Sequence, residues 1–94
     1  MNRWMYKRLV DNMFDAYVDW REASREVRDA SHYWRSSSRQ LARVAHAIYA
    51  EALDREERAA AVYERLVRRV ASAAATTSIS SAEAQSAPRG ARPR

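Results

Sequence analysis

Apolar residues recur every three or four positions through the first third of the chain, with polar residues between them. On a helical wheel at about 100° per residue, they fall on one face. We call this face the apolar seam of helix 1. Its members are Met5, Leu9, Met13, Ala16, Trp20, Ala23, Val27, Ala30 and Trp34, with Tyr6 and Tyr17 at its edge. This spacing predicts one amphipathic helix over about residues 4–35.

Small and large side chains alternate along the seam. Ala16, Ala23 and Ala30 stand seven residues apart, with Trp20 and Val27 between them. Alanine lets another backbone approach toward the lower end of the usual separation of about 8–10 Å between helix axes. The larger residues would then fill the spaces between the alanines. The pattern therefore predicts a closely packed partner helix.

Charged residues flank the seam on both sides. An acidic stripe comprises Asp11, Asp15, Asp19, Glu22, Glu26 and Asp29. A basic stripe on the other side comprises Arg21, Arg25, Arg28 and Arg35. Such stripes set the orientation of a partner helix in coiled coils. Each exposed ion pair stabilises by only ~0–1 kcal/mol, so the stripes select a partner more than they hold it.

A second apolar face follows over about residues 38–71. It contains Leu41, Ala45, Ile48, Ala52, Ala59, Val62, Tyr63, Leu66 and Val70, and is widened by Val44, Tyr49, Leu53, Ala60 and Val67. Two helices packed only on each other would leave much of this surface in water. We therefore expect further helices from a second copy, making a four-helix bundle, or from another protein.

Three serines at positions 36–38 interrupt the helical pattern. Ser37 followed by Gln40 matches a capping box, and Asp54 with Glu57 gives a weaker start signal. A break here leaves two helices of nearly equal length, which favours an antiparallel hairpin. One continuous helix is the alternative. It is supported by the seven-residue spacing that runs from Trp34 to Leu41 and Ile48 across the serines.

The last part of the chain has a different composition. Residues 74–94 are small and polar, and contain both prolines and the one glycine. Such a segment buries too little apolar surface to offset its loss of conformational entropy. The sequence thus predicts a helical hairpin over residues 1–73 and a disordered basic tail over 74–94.

Composition narrows the class of protein. The 94 residues allow one domain, and without cysteine there is no disulfide framework or thiolate metal site. No signal-peptide pattern and no apolar run long enough to span a bilayer is present, so a cytoplasmic protein is expected. The net charge of +5 is the excess of 16 arginines and one lysine over 12 acidic residues, and the basic residues are spread along the chain rather than concentrated.

Few residues in the sequence are candidates for catalysis, metal binding or phosphate binding. No Ser, His and acid come together in a catalytic arrangement, so no enzyme and no cofactor are expected. One alternative is a dimeric metal site, since Asp29 and His32 have the i, i+3 spacing of acid and histidine ligands in di-iron bundles. Another alternative is nucleic-acid binding through phosphate contacts. The candidate residues are Arg68, Arg69, Arg89, Arg92 and Arg94.

The interpretation that best fits these patterns is an all-α association module. It would act as a homodimer or as a small accessory subunit of a larger assembly. The predicted protein interface comprises Met13, Ala16, Trp20, Ala23, Val27, Ala30, Trp34, Leu41, Ile48, Ala52, Tyr63 and Leu66.

Overall fold

Two long helices make up the described part of the protein. The computed structural model describes residues 1–90, and describes side chains for residues 1–76. Helix α1 spans Arg3–Ser36 and helix α2 spans Ala42–Gly90. Neither has a strand beside it within residues 1–90. The all-α hairpin predicted from the sequence is confirmed, and the continuous-helix alternative is wrong.

Asn2 fixes the start of α1. Its side-chain Oδ1 accepts a hydrogen bond from the Met5 backbone N–H at 2.8 Å, and its carbonyl accepts one from Tyr6 at 3.0 Å. The side chain thus satisfies one of the backbone donors that the first helical turn leaves without a partner. The sequence analysis did not identify this N-cap.

The serines end α1 rather than start α2. The Ser37 hydroxyl donates to the Trp34 carbonyl at 2.8 Å, and the Ser36 hydroxyl donates to the His32 carbonyl at 2.9 Å. The Trp34 carbonyl is one of those that the last turn of a helix leaves open, whereas the bond to His32 is an i−4 side-chain bond of the kind that serine makes within a helix. The predicted capping-box role of Ser37 and Gln40 is therefore wrong.

A short turn separates the helices, and α2 begins later than the predicted residue 38. Leu41 donates its N–H to the Ser38 carbonyl at 3.1 Å, and Ala42 donates to Arg39 at 3.4 Å. Only from Ala42 does the backbone become α-helical. Asp54 and Glu57 lie inside α2, so they are charges on a continuous helix and mark no second start.

The far end of α2 lies beyond the predicted boundary at residue 71. Helix α2 continues into the predicted tail, as far as Gly90. The side chains of positions 77–94 lie outside the described ones, and the disorder of that part stays a prediction.

Small side chains form the contact between the two helices. Within the described side chains, the buried apolar residues are Leu9, Ala16, Ala23, Ala30, Ala45 and Ala52. Those in α1 repeat every seven residues, as do the two in α2. This repeat keeps one line of each helix against the other along the hairpin. We call the five alanines the alanine seam.

Candidate protein interface

The alanine seam is internal to the hairpin. Ala16, Ala23 and Ala30 of α1 and Ala52 of α2 were predicted to contact a partner, yet all four are buried between the chain's own helices. Ala52, for example, is only 1% exposed. Their small size thus allows α1 and α2 to approach each other, and leaves them almost no surface for another chain.

Large side chains lie on either side of this seam, and aromatic rings gather on one side. Trp20 stacks on Tyr63 with ring centroids 5.6 Å apart, and Tyr17 meets Tyr63 at 5.5 Å. Tyr17 and Trp20 also contact each other edge to face at 6.1 Å. These three rings join the middle of α1 to the middle of α2.

A second group of rings lies nearer the turn. Trp34 stacks on Tyr49 at 5.3 Å and meets His46 edge to face at 4.7 Å. His46 of α2 is therefore part of an aromatic cluster with Trp34 and Tyr49. We call the side of the hairpin that carries both clusters the aromatic face.

The aromatic face includes the half-buried side chains of α1. These are Tyr6, Val10, Met13, Trp20, Ser24, Val27 and Ser31, which follow the seven-residue repeats that contain Tyr17 and Trp20. On α2 the half-buried Glu56 lies seven residues from both Tyr49 and Tyr63. The half-buried Ala60 lies fourteen residues after His46, on the same side of the helix. Partial burial is thus concentrated on one broad side of the hairpin.

The opposite side carries ionic groups, and we call it the charged face. Glu26 of α1 accepts a hydrogen bond from Arg55 of α2 at 3.2 Å, and Arg55 lies 3.8 Å from Glu51. Asp19 and Arg58 line one shallow hollow above the seam on this side. Glu26 of the acidic stripe therefore pairs within the chain, where an exposed pair stabilises by ~0–1 kcal/mol.

Apart from the four buried alanines, the predicted interface residues separate into three groups. Met13, Trp20, Val27, Tyr63 and Leu66 are half-buried beside or on the seam. Trp34 is exposed on the aromatic face, whereas Leu41 and Ile48 are exposed on the charged side of α2. Trp20 and Tyr63 contact each other, Trp34 contacts Tyr49 and His46, and Leu41 and Ile48 lie on the other side of the hairpin.

Several exposed apolar residues escaped the sequence analysis. Phe14 is 59% exposed and Val18 is 60% exposed. Together with the half-buried Val10 they follow i, i+4, i+8 spacing, which marks a second apolar stripe on the outer side of α1. That spacing was present in the sequence but was hidden by the stronger pattern of the seam.

The alternative chemistries gain little from the described side chains. Asp29 and His32 belong to no group of three or more metal-binding side chains among those the structure describes. Arg68 pairs with Glu64 of its own helix at 2.6 Å, and Arg69 is exposed. The remaining predicted phosphate contacts, Arg89, Arg92 and Arg94, lie outside the described side chains.

No helix within the described residues is both long enough and apolar enough to cross a bilayer. Comparison of the chain with family models, with curated proteins and with solved structures found no match.

Proposed function

We propose that this protein is a non-enzymatic association module, a helical hairpin whose role is to bind another protein surface as a homodimer or as a small subunit of a larger assembly. One observation carries the proposal. The hairpin buries mainly alanines, while fourteen large apolar side chains within the described residues are at least 36% exposed. In a chain that folds alone, large apolar side chains are normally among the most buried residues.

The energetics support the same conclusion. Burying a CH₂ group contributes about 0.8 kcal/mol, and burying a whole Leu or Phe side chain contributes about 1.5–3 kcal/mol. An alanine seam therefore uses little of the hydrophobic free energy that this sequence offers. The larger share stays available at Phe14, Val18, Trp34 and Leu53. Exposed apolar side chains in this number support a protein-binding role.

The test is the hydrodynamic state of the purified full-length chain. Sedimentation velocity from low to high micromolar concentration is expected to show association, with a tryptophan emission that shifts to the blue as the complex forms. A photoreactive amino acid in place of Phe14 is expected to cross-link a partner in cells. The same probe in place of Glu22, which lies on the acidic side of α1, is the matched control.

The proposal fails if the chain is a folded monomer at every concentration and the Phe14 probe captures no more than the Glu22 probe. Such a monomer would hold its exposed rings in water without loss of structure. The apolar surface would then have no binding role.

A further inference from the structure

We infer that the aromatic face binds the aromatic face of a second copy of this chain, with α1 of each protomer lying on α2 of the other. The inference rests on the proposed association function and goes further, since it names the occupant and the arrangement. It is carried by the charges at the two margins of the aromatic face.

The α1 margin of the aromatic face is basic. Arg21, Arg28 and Arg35 stand seven residues apart. The Arg21 guanidinium lies 5.9 Å from the Tyr17 ring centroid. Arg28 and Arg35 line one hollow together with Val27 and Tyr49 of the aromatic face.

The α2 margin is acidic. Glu57 and Glu64 also stand seven residues apart, and Glu64, which pairs with Arg68 of its own helix at 2.6 Å, directly follows Tyr63 of the aromatic face. Across the hairpin Glu26 meets Arg55 and Trp20 meets Tyr63. Glu57 lies between Arg55 and Tyr63 in α2, so it is level with the part of α1 between Arg21 and Arg28.

Symmetry decides which margins meet. A two-fold axis parallel to the helices keeps every residue at its level and places α1 of one copy over α2 of the other. Arg21 and Arg28 then lie opposite the partner's acidic margin, twice in the dimer. An axis that crosses the helices would place α1 on α1, with arginine facing arginine and glutamate facing glutamate. Like charges at such positions oppose pairing.

The size of the face suits a stable dimer. From Tyr6 to Trp34 it is about 43 Å long, at 1.5 Å per residue. Two helices side by side are about 20 Å wide, so the face covers on the order of 850 Å². A specific protein interface typically buries about 800 Å² from each partner. Its aromatic content also matches the core of such interfaces.

Charge exchange within one chain tests the arrangement. Arg28→Glu and Glu57→Arg are each expected to raise the dissociation constant of self-association about tenfold at low salt, because each reversal acts twice in the dimer. The double variant Arg28→Glu with Glu57→Arg is expected to return to the affinity of the unchanged chain. The two residues lie at opposite margins of their own hairpin, so only an intermolecular contact explains that recovery.

Arg58→Glu is the matched control, since it makes the same charge change on the charged face. It is expected to leave the dissociation constant within about twofold, with circular dichroism confirming that the hairpin is intact. A chain that associates with itself but ignores both single reversals would overturn the inference and leave the association function standing. So would a double variant without recovery. A chain that only binds other proteins would do the same, and a chain that binds nothing would remove both proposals.

Discussion

The two broad faces of this hairpin are built from the same two helices, yet they differ in the kind of contact that joins those helices. On the charged face, Glu26 of α1 pairs with Arg55 of α2 at 3.2 Å. On the aromatic face, the rings of α1 and α2 meet one another but remain partly in water, with Tyr17 and Trp34 each 37% exposed. The comparison separates a face joined by an ion pair, which also leaves Leu41 and Ile48 exposed, from a face joined by aromatic rings that remain partly in water.

This difference follows from the physical chemistry of the side chains. A charged group is well hydrated and gains little from further burial, so an exposed ion pair needs no additional partner. An aromatic ring gains from every contact that removes it from water, and edge-to-face or stacked pairs add about 0.5–1.5 kcal/mol. Because the alanine seam is narrow, the rings beside it cannot be covered by two helices alone.

The largest effect on stability is expected from a substitution in the alanine seam, which lies between the two faces. Ala23→Leu would force additional carbon atoms into the buried alanine seam, where the helices approach closely. Overpacking of this kind costs about 1–3 kcal/mol. Urea denaturation followed by circular dichroism would measure the loss. Arg25→Leu, on the exposed outer side of α1, is the control and is expected to change stability little. Equal effects at both positions would contradict the seam.

The aromatic face is tested by comparing two tryptophans. Trp20→Ala removes the ring stacked on Tyr63, and is expected to lower the free energy of unfolding by about 2 kcal/mol. Trp4 is 65% exposed near the N-terminus, so Trp4→Ala is expected to cost far less. Chemical denaturation of both variants makes the comparison. A larger loss for Trp4→Ala would place the important aromatic contacts elsewhere.

One acidic residue on the aromatic face sharpens the contrast further. Glu56 is half-buried at the same register of α2 as Tyr49 and Tyr63. Association would remove water from this carboxylate, which costs free energy and opposes binding. Glu56→Leu is therefore expected to strengthen self-association by about 1 kcal/mol. Sedimentation equilibrium would report the gain. Weaker association in this variant would indicate that the carboxylate makes a specific contact in the complex.

The smallest effect is expected on the charged face. A double-mutant cycle of Glu26→Ala and Arg55→Ala should give a coupling energy of about 0.5 kcal/mol that decreases with added salt. Thermal denaturation at low and high ionic strength would measure it. A salt-independent coupling well above 1 kcal/mol would mean that this face is dehydrated in the protein, against the exposure of both side chains.

The helices could be predicted from the sequence because their cause is local. Ala16, Ala23 and Ala30 repeat every seven residues, and the serines after Trp34 interrupt the helical pattern. The hairpin was predicted from these two local signals. The role of the alanines could not be assigned in the same way. A sequence pattern shows that a helix line needs a close partner, but it does not distinguish a partner in the same chain from one in another.

The aromatic face shows where sequence reasoning stops. Tyr49, Tyr63 and Trp34 each belong to an apolar pattern, but their meeting depends on which residues of α2 lie level with α1. The turn sets that level, and its helix boundary at Ala42 differs from the predicted start at residue 38. A shift of a few residues at the turn changes every pairing along the hairpin. The clusters of rings therefore became visible only with the structure.

The short turn after Ser37 has a consequence for how the hairpin forms. Contacts near it, such as Trp34 with His46, close only a small loop, so they cost little chain entropy and can form first. Each later pairing then closes onto structure already present, as in other proteins of low contact order that fold rapidly. We expect the backbone amides around Leu9, at the far end from this turn, to exchange with solvent fastest among those of the paired helices.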